Sequence, residues 1–297
     1  MTRPPQFALT GLLCDRNMTH GAELSHLLCG VAQGQPINKS LQGADMLRRV
    51  VGRMKRSLDP APQDIANIIR YGRKGPIAHE RIWIDPRKIT RVVAPHPAEL
   101  GMGPDHPEFR RLRRQRARAR ALVGKVIGEE LDDFQFRPLS LVGKIKACRK
   151  RWQEGLSWEE AGAISGLMLK IDATGSSQSG CHTREDVVRR YQRLDEVFER
   201  VKAEGRLESY VCRKRGFHRE PDGVEIHLGR MGEPLFGATG THRLAMALVL
   251  GLDRIPASLG FVHESALDIL PFLRRGTVRH PAPMPRDALT REELQRL

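Results

Sequence analysis

The sequence predicts an α/β fold of the α+β kind, a small mixed sheet dressed with helices, on three observations. Residues 225–263, EIHLGRMGEPLFGATGTHRLAMALVLGLDRIPASLGFVH, read as strand, turn, strand, glycine turn, helix and strand. Residues 184–204 line up Val187, Val188, Tyr191, Leu194, Val197, Phe198 and Val201 on one helical face. The chain has 297 residues, 40% of them apolar, enough to close a substantial core around such elements.

In chain order, residues 1–77 form a partly helical N-terminal region, with helices expected over 45–55 and 62–71 and a loop over 30–43. Tyr71-Gly72-Arg73-Lys74-Gly75-Pro76 has the composition of a boundary. A strand near Ile82 opens the next region, and Pro95, Pro97, Gly101, Gly103, Pro104 and Pro107 mark an irregular connector after it. Helices are expected over 108–122, 138–154, 157–169 and 184–204. Thr183 caps the last of these, Glu185 and Asp186 favour its positive end, and Gly205 stops it. A short helix over 266–274, a proline-rich joint over 281–285 and a terminal helix near Arg291 complete the chain.

Within the unit at 225–263, Val224, Ile226 and Leu228 alternate with polar residues, the pattern of a half-buried strand. Met231-Gly232-Glu233-Pro234 turns the chain into Leu235-Phe236. Thr241 is placed to cap a helix whose apolar face is Leu244, Met246, Ala247, Leu248 and Leu250, and Gly251 ends it before the strand at Ile255. A strand feeding a glycine turn and a helix exposes free backbone N–H groups at the positive end of the helix dipole, which favours an anion. Gly237 and Gly240 allow close backbone approach, and His242 and Arg243 add cationic or donor side chains. The same residues also suit an ordinary helix start with a solvated first turn.

The string Phe236-Gly237-Ala238-Thr239-Gly240-Thr241-His242-Arg243-Leu244-Ala245-Met246-Ala247, followed by Leu250-Gly251-Leu252 and Ile255-Pro256, resembles the ParB/sulfiredoxin superfamily. Its signature is a strand, a turn with a His-Arg or Arg-Arg pair, a helix of small residues, then Leu-Gly, Ile-Pro and a strand. Upstream, Ile82-Trp83-Ile84-Asp85-Pro86-Arg87-Lys88-Ile89 is similar to the family's opening strand and turn. The resemblance implies a small mixed sheet of ParB/sulfiredoxin type over 78–263, a large helical insertion at about 105–205, a helical N-terminal region over 1–77 and a helical tail over 264–297. It also implies a phosphate or nucleotide site at Gly237, Gly240, Thr241, His242 and Arg243. Chromosome-partition members bind the phosphates of CTP at this turn, and serine kinases of the superfamily hold ATP or ADP there. Sulfiredoxins carry a cysteine directly before the His-Arg pair, where this chain has Thr241, so their nucleophile is absent. His242 also stands where a second arginine is usual in partition proteins. The implied cofactor is ATP or CTP with Mg²⁺.

Composition narrows the function classes. Aromatic residues are 5% of the chain, too few for the stacking platforms of single-strand binders. Five cysteines at 14, 29, 148, 181 and 212 form an odd set without a CxxC, so neither a disulfide framework nor a zinc knuckle is indicated and a reducing cytoplasm is expected. The longest apolar run, 244–252, is too short to span a membrane, and no membrane partner is expected. The apolar stretch at 7–14 reads as a folded or partner-bound arm.

Net charge is +15, and the excess is uneven. Arg110, Arg111, Arg113, Arg114, Arg116, Arg118 and Arg120 place seven arginines in eleven residues of one helix, a surface suited to nucleic acid or another polyanion without base readout. Clusters at 144–151 and 213–215 read as solvated surface. No helix-turn-helix is legible.

A phosphoryl-transfer enzyme also needs carboxylates for a metal or as a base. Candidates beside His242 are Asp85 and Glu129, the latter heading the run Glu129, Glu130, Asp132 and Asp133. Asp85 equally suits a turn cap before Pro86. Glu99 is nearest in position to the glutamate base of the superfamily's serine kinases. Cys181-His182 fits helix capping better than a nucleophile pair, because adjacent side chains rarely face one another. His227 and His263 are expected as strand histidines.

The expected protein is therefore a cytoplasmic nucleotide- or phosphate-binding protein, a phosphotransferase or nucleotide hydrolase. The alternative is a non-catalytic, nucleic-acid-associated protein working through its arginines.

Overall fold

A computed structural model describes residues 62–103, 105–174, 180–209 and 219–276. The elements expected at 30–43, 45–55, 281–285 and 291, and the arm at 7–14, lie outside the described residues, as do Cys14, Cys29, Cys212 and the cluster at 213–215.

Among the described residues, seven strands and seven α-helices make a mixed α/β architecture. The helices are α1 Pro62–Tyr71, α2 Phe109–Ala121, α3 Gly143–Trp152, α4 Ala163–Thr174, α5 Arg184–Glu204, α6 Thr241–Val249 and α7 Leu270–Arg275. The strands are β1 Arg81–Ile84, β2 Arg91–Val93, β3 Val126–Ile127, β4 Phe136–Pro138, β5 Val224–Leu228, β6 Pro234–Phe236 and β7 Ile255–His263. Their order is β1-β7-β5-β6-β2-β4, with β3 paired to β7 off this path. The β5–β7, β3–β7 and β2–β6 pairs are parallel, and β1–β7, β5–β6 and β2–β4 are antiparallel. The stretch expected to be a purely helical insertion thus also supplies two strands, β3 and β4.

Apolar layers cover both faces of the central strands. On one, Ile82, Ile84, Ile226, Leu228 and Leu259 pack with residues of α3, α5 and α6. On the other, Val93, Leu235 and Phe261 pack with Ala119 of α2 and with Leu131 and Phe134. A register shift between the Ile226–Leu259 and Leu228–Val262 pairs accounts for Phe261 joining one layer and Val262 the other. Double cover overturns the expectation that β5 is half-buried: all five of its residues are buried, Glu225 and His227 included.

Helix boundaries follow local chemistry. Thr183 and Asp186 form a reciprocal capping box at α5, and Gly205 closes it in the left-handed region at φ 62°. The helix expected over 157–169 instead begins at Ala163, because Gly162 at φ 75° interrupts the preceding turn, where Ser157 and Glu160 bond to each other. The helix expected over 138–154 shortens to α3, since Pro138 ends β4 and residues 139–141 form a 3-10 turn. The segment 264–269 is likewise a 3-10 turn before α7.

Asp195 on α5 clamps α3 and the turn that precedes α4 to its own helix. Its carboxylate accepts from Trp152 Nε1 at 2.9 Å, Trp158 Nε1 at 3.0 Å and Arg151 Nη2 at 2.8 Å. Among the described residues no helix is long and apolar enough to cross a membrane.

Candidate functional site

The turn at 237–240 leaves β6 and folds back over β5. Gly237 N–H donates to Glu225 O at 2.8 Å, and Glu225 N–H donates to Thr239 O at 3.2 Å. Ala238 at φ 61° and Gly240 at φ 76° both adopt the left-handed region, so the peptide direction alternates through the turn. Glycine is required at two places for different reasons. A Cβ on Gly237 would lie 2.3 Å from the Glu225 carboxylate, and one on Gly240 would lie 2.6 Å from Gly223 O. Ala238 holds its strained conformation with its carbonyl bonded to Arg116 Nη2 at 3.3 Å.

Helix α6 begins at Thr241 with no side-chain cap. This corrects the expectation that Thr241 caps it: Gly240 occupies the cap position, and Thr241 is the first helical residue with its side chain buried. Among the described residues, the backbone N–H groups of Ala238, Thr239, Gly240 and Thr241 meet no acceptor. Donors left open at the positive end of a nine-residue helix make this turn a cradle of positive potential, which favours negative charge.

The cationic side chains approach this cradle from two sides. Arg243 is held by protein groups: its Nη2 donates to Glu208 O at 2.6 Å and lies 3.5 Å from Glu220 Oε1. Glu220 is fully buried, and its other oxygen accepts from Ser209 Oγ at 2.8 Å. An anion at the turn would therefore share Arg243 with Glu220. The His242 ring is half-buried and stands edge-on to Tyr191 at 6.4 Å. On the other side Arg116 brings the arginine helix α2 to the turn.

The two carboxylates proposed for catalysis both stand at 3-10 turns. Asp85 caps the 3-10 turn Pro86–Lys88, accepting from Arg87 N at 2.9 Å and from its guanidinium. Burial pushes its pKa up, but the Arg87 hydrogen bonds and charge outweigh this and hold it below the usual aspartate range. Glu129 is exposed at the start of the 3-10 turn Glu129–Asp133, in which Asp132 pairs with Arg230 and Asp133 with Arg118. Glu99 lies in the 3-10 turn Pro97–Leu100.

Directly beneath Gly237 the strand histidine His227 is paired with Glu225, a residue that the sequence did not single out. Glu225 Oε1 is 3.3 Å from His227 Nε2, with both side chains almost wholly buried. His227 Nδ1 accepts from Phe261 N at 3.0 Å, whereas Nε2 and Glu225 Oε1 are buried beside each other without a well-formed hydrogen bond. Burial pushes the Glu225 carboxyl up, yet His227, His79 and Arg116 together hold it below the ordinary glutamate value. The available signal was a glutamate and a histidine alternating with Val224, Ile226 and Leu228.

On α2, Leu112 and Ala119 are buried and Arg116 is half-buried, while Arg110, Arg111, Arg113, Arg114, Arg118 and Arg120 are exposed. At about 100° per residue the six exposed arginines cover roughly half the helix circumference. Arg118 is tied to Asp133 at 2.7 Å and stacks over Phe134.

The remaining histidine and cysteine candidates are structural. His182 N and Thr183 N both donate to Asp186, which is capping as expected. His263 caps the segment Glu264–Ile269 through Ser265 N. A cleft of about 380 Å³ beside α5, lined by Cys181, Asp186, Arg189, Arg190 and Arg193, shares no residue with the turn. No group of three metal-binding side chains converges among the described residues. No family model, curated protein or solved structure matches this chain.

Proposed function

We propose that this chain is a ParB-like nucleotide- or phosphate-binding protein whose anion site is the turn at 237–243. The observation that carries the proposal is the run of four backbone N–H groups, Ala238 to Thr241, that meet no acceptor among the described residues at the start of α6. Gly237 and Gly240 keep the turn's backbone against β5, and Arg243 and His242 supply charge and a titratable donor beside it. The reading assigns ATP or CTP with Mg²⁺ as ligand and phosphoryl transfer to a small molecule, or nucleotide hydrolysis, as activity. His242 is the titratable group at the turn itself and takes the role of orienting a phosphate or moving a proton. Asp85 and Glu129 are the weaker candidates, because Asp85 serves as a cap and Glu129 is an exposed turn residue. A cytoplasmic setting belongs to the same proposal.

The test is a thermal-shift series with ATP, ADP, CTP, GTP and inorganic phosphate, each with and without magnesium. A ligand at about one hundred times its Kd stabilises the fold by roughly 2.7 kcal/mol. His242→Gln should weaken the response while leaving the unliganded Tm close to wild type. Absence of a shift with every ligand refutes the proposal.

The second reading, a nucleic-acid-associated protein, is favoured by the six exposed arginines of α2. Binding that is steeply salt-dependent and indifferent to nucleotides would select it.

A further inference from the structure

We infer that the arginine helix and the glycine turn form one surface, which takes a nucleic-acid strand by its terminal phosphate and then by the phosphodiesters that follow. The inference rests on the phosphate reading of the turn. It begins from Arg116, the half-buried arginine of α2, whose guanidinium bonds the carbonyl of Ala238 inside the turn. Helix α2 is thereby fixed against the turn, and the residues flanking Arg116 on its own face are set by helical periodicity. Arg113 and Arg120, three residues before it and four after, lie one turn to either side on the same flank. Both are exposed, and among the described residues neither has a carboxylate partner, unlike Arg118 on the opposite flank.

The stripe Arg113–Arg116–Arg120 spans eight residues of helix, about 10 Å from end to end. A mononucleotide held at the turn would leave most of that stripe without a counter-charge. The two parts also differ in chemistry in the way a strand end differs from its body. Backbone N–H groups converging at Ala238–Thr241 suit a doubly charged terminal phosphate. Separate exposed guanidiniums suit singly charged diesters spaced along a backbone. Scarcity of aromatic residues fits affinity drawn from phosphates rather than from base stacking.

The experiment is fluorescence anisotropy of the full chain with a short single-stranded oligonucleotide, labelled at one end and carrying either a phosphate or a hydroxyl at the other. The phosphorylated strand should bind about tenfold or more tighter, the effect of one charge-assisted contact set, and ATP should compete with that increment alone. The double variant Arg113→Gln/Arg120→Gln should lower the log–log salt slope by about 1.4, two phosphates at about 0.7 each. Equal affinity for both strand ends, or no competition by ATP, overturns the single surface and leaves two separate sites. Inorganic polyphosphate that competes better than an unlabelled strand of equal charge overturns the choice of ligand. Thermal shifts with nucleotides but no oligonucleotide binding defeat this inference and spare the turn. No shift with any phosphate compound defeats the reading beneath it.

Discussion

Gly240→Ala isolates the packing that holds the turn in shape, and Gly251→Ala is its natural control. Both glycines sit in the left-handed region, at φ 76° and φ 64°, so both variants incur the same backbone penalty of about 1–2 kcal/mol. Their surroundings differ. Nothing lies within 4 Å of a Cβ on Gly251, whereas one on Gly240 would stand 2.6 Å from Gly223 O and 2.8 Å from Val224 Cα. These are backbone atoms at the start of β5, a strand buried along its whole length, and relieving the contact means moving the centre of the sheet. Overpacking of that kind adds about 1–3 kcal/mol. The expected totals are about 2–5 kcal/mol for Gly240→Ala and about 1–2 kcal/mol for Gly251→Ala. A difference of about 2 kcal/mol corresponds to about 4–8 °C in Tm for a domain of this size. Urea denaturation followed by far-UV circular dichroism gives the free energies, and a thermal scan gives the Tm. Equal losses in the two variants would refute the close approach of the turn to β5.

Three further outcomes follow from buried or bonded carboxylates. Asp195→Ala leaves two indole N–H groups and a guanidinium without their acceptor and should cost about 2–4 kcal/mol in urea denaturation; a loss below about 1 kcal/mol would contradict the clamp. Asp186 accepts from His182 N, from Arg189 and from Thr183 N, which lowers its pKa to about 2. Its contribution is present above the ordinary aspartate range and lost as pH falls toward 2, and carboxyl NMR titration in the usual range would contradict the capping box. Glu225, depressed although burial opposes it, contributes stability above the ordinary glutamate range that is lost as pH falls through its folded value. Glu225→Gln should therefore destabilise at neutral pH and differ less from wild type in acid, and a gap that widens in acid would show the sign to be wrong.

How much of this was legible depends on the length and redundancy of each pattern. Helix α5 could be read because seven apolar residues keep one face over about four turns and both ends carry caps. Helix α6 and β7 were bounded by Gly251 and by the Ile-Pro start of the strand. Strands β2, β3 and β4 have three residues or fewer, and no periodicity can build in that space. The glycine turn was legible as a backbone device, but its lining was not. Glu225 and His227 looked like the solvent side of β5, since alternation cannot reveal a second layer covering that side. That layer contains Phe261, turned inward by the register shift in β7, and no local signal predicts the shift. Arg116 was hidden among its neighbours, although Leu112 and Ala119, seven residues apart, marked the buried face it borders. Arg243 was read toward an anion because its partner Glu220 is distant in sequence.

The most direct test of the anion site is a two-dimensional amide NMR titration of the full chain with inorganic phosphate and then with ATP or CTP and magnesium. The account predicts that the amides of Ala238, Thr239, Gly240 and Thr241 move first and furthest, with His242 and Arg243 following. Resonances at the turn that stay fixed while others respond, or that ignore every phosphate compound, would contradict it.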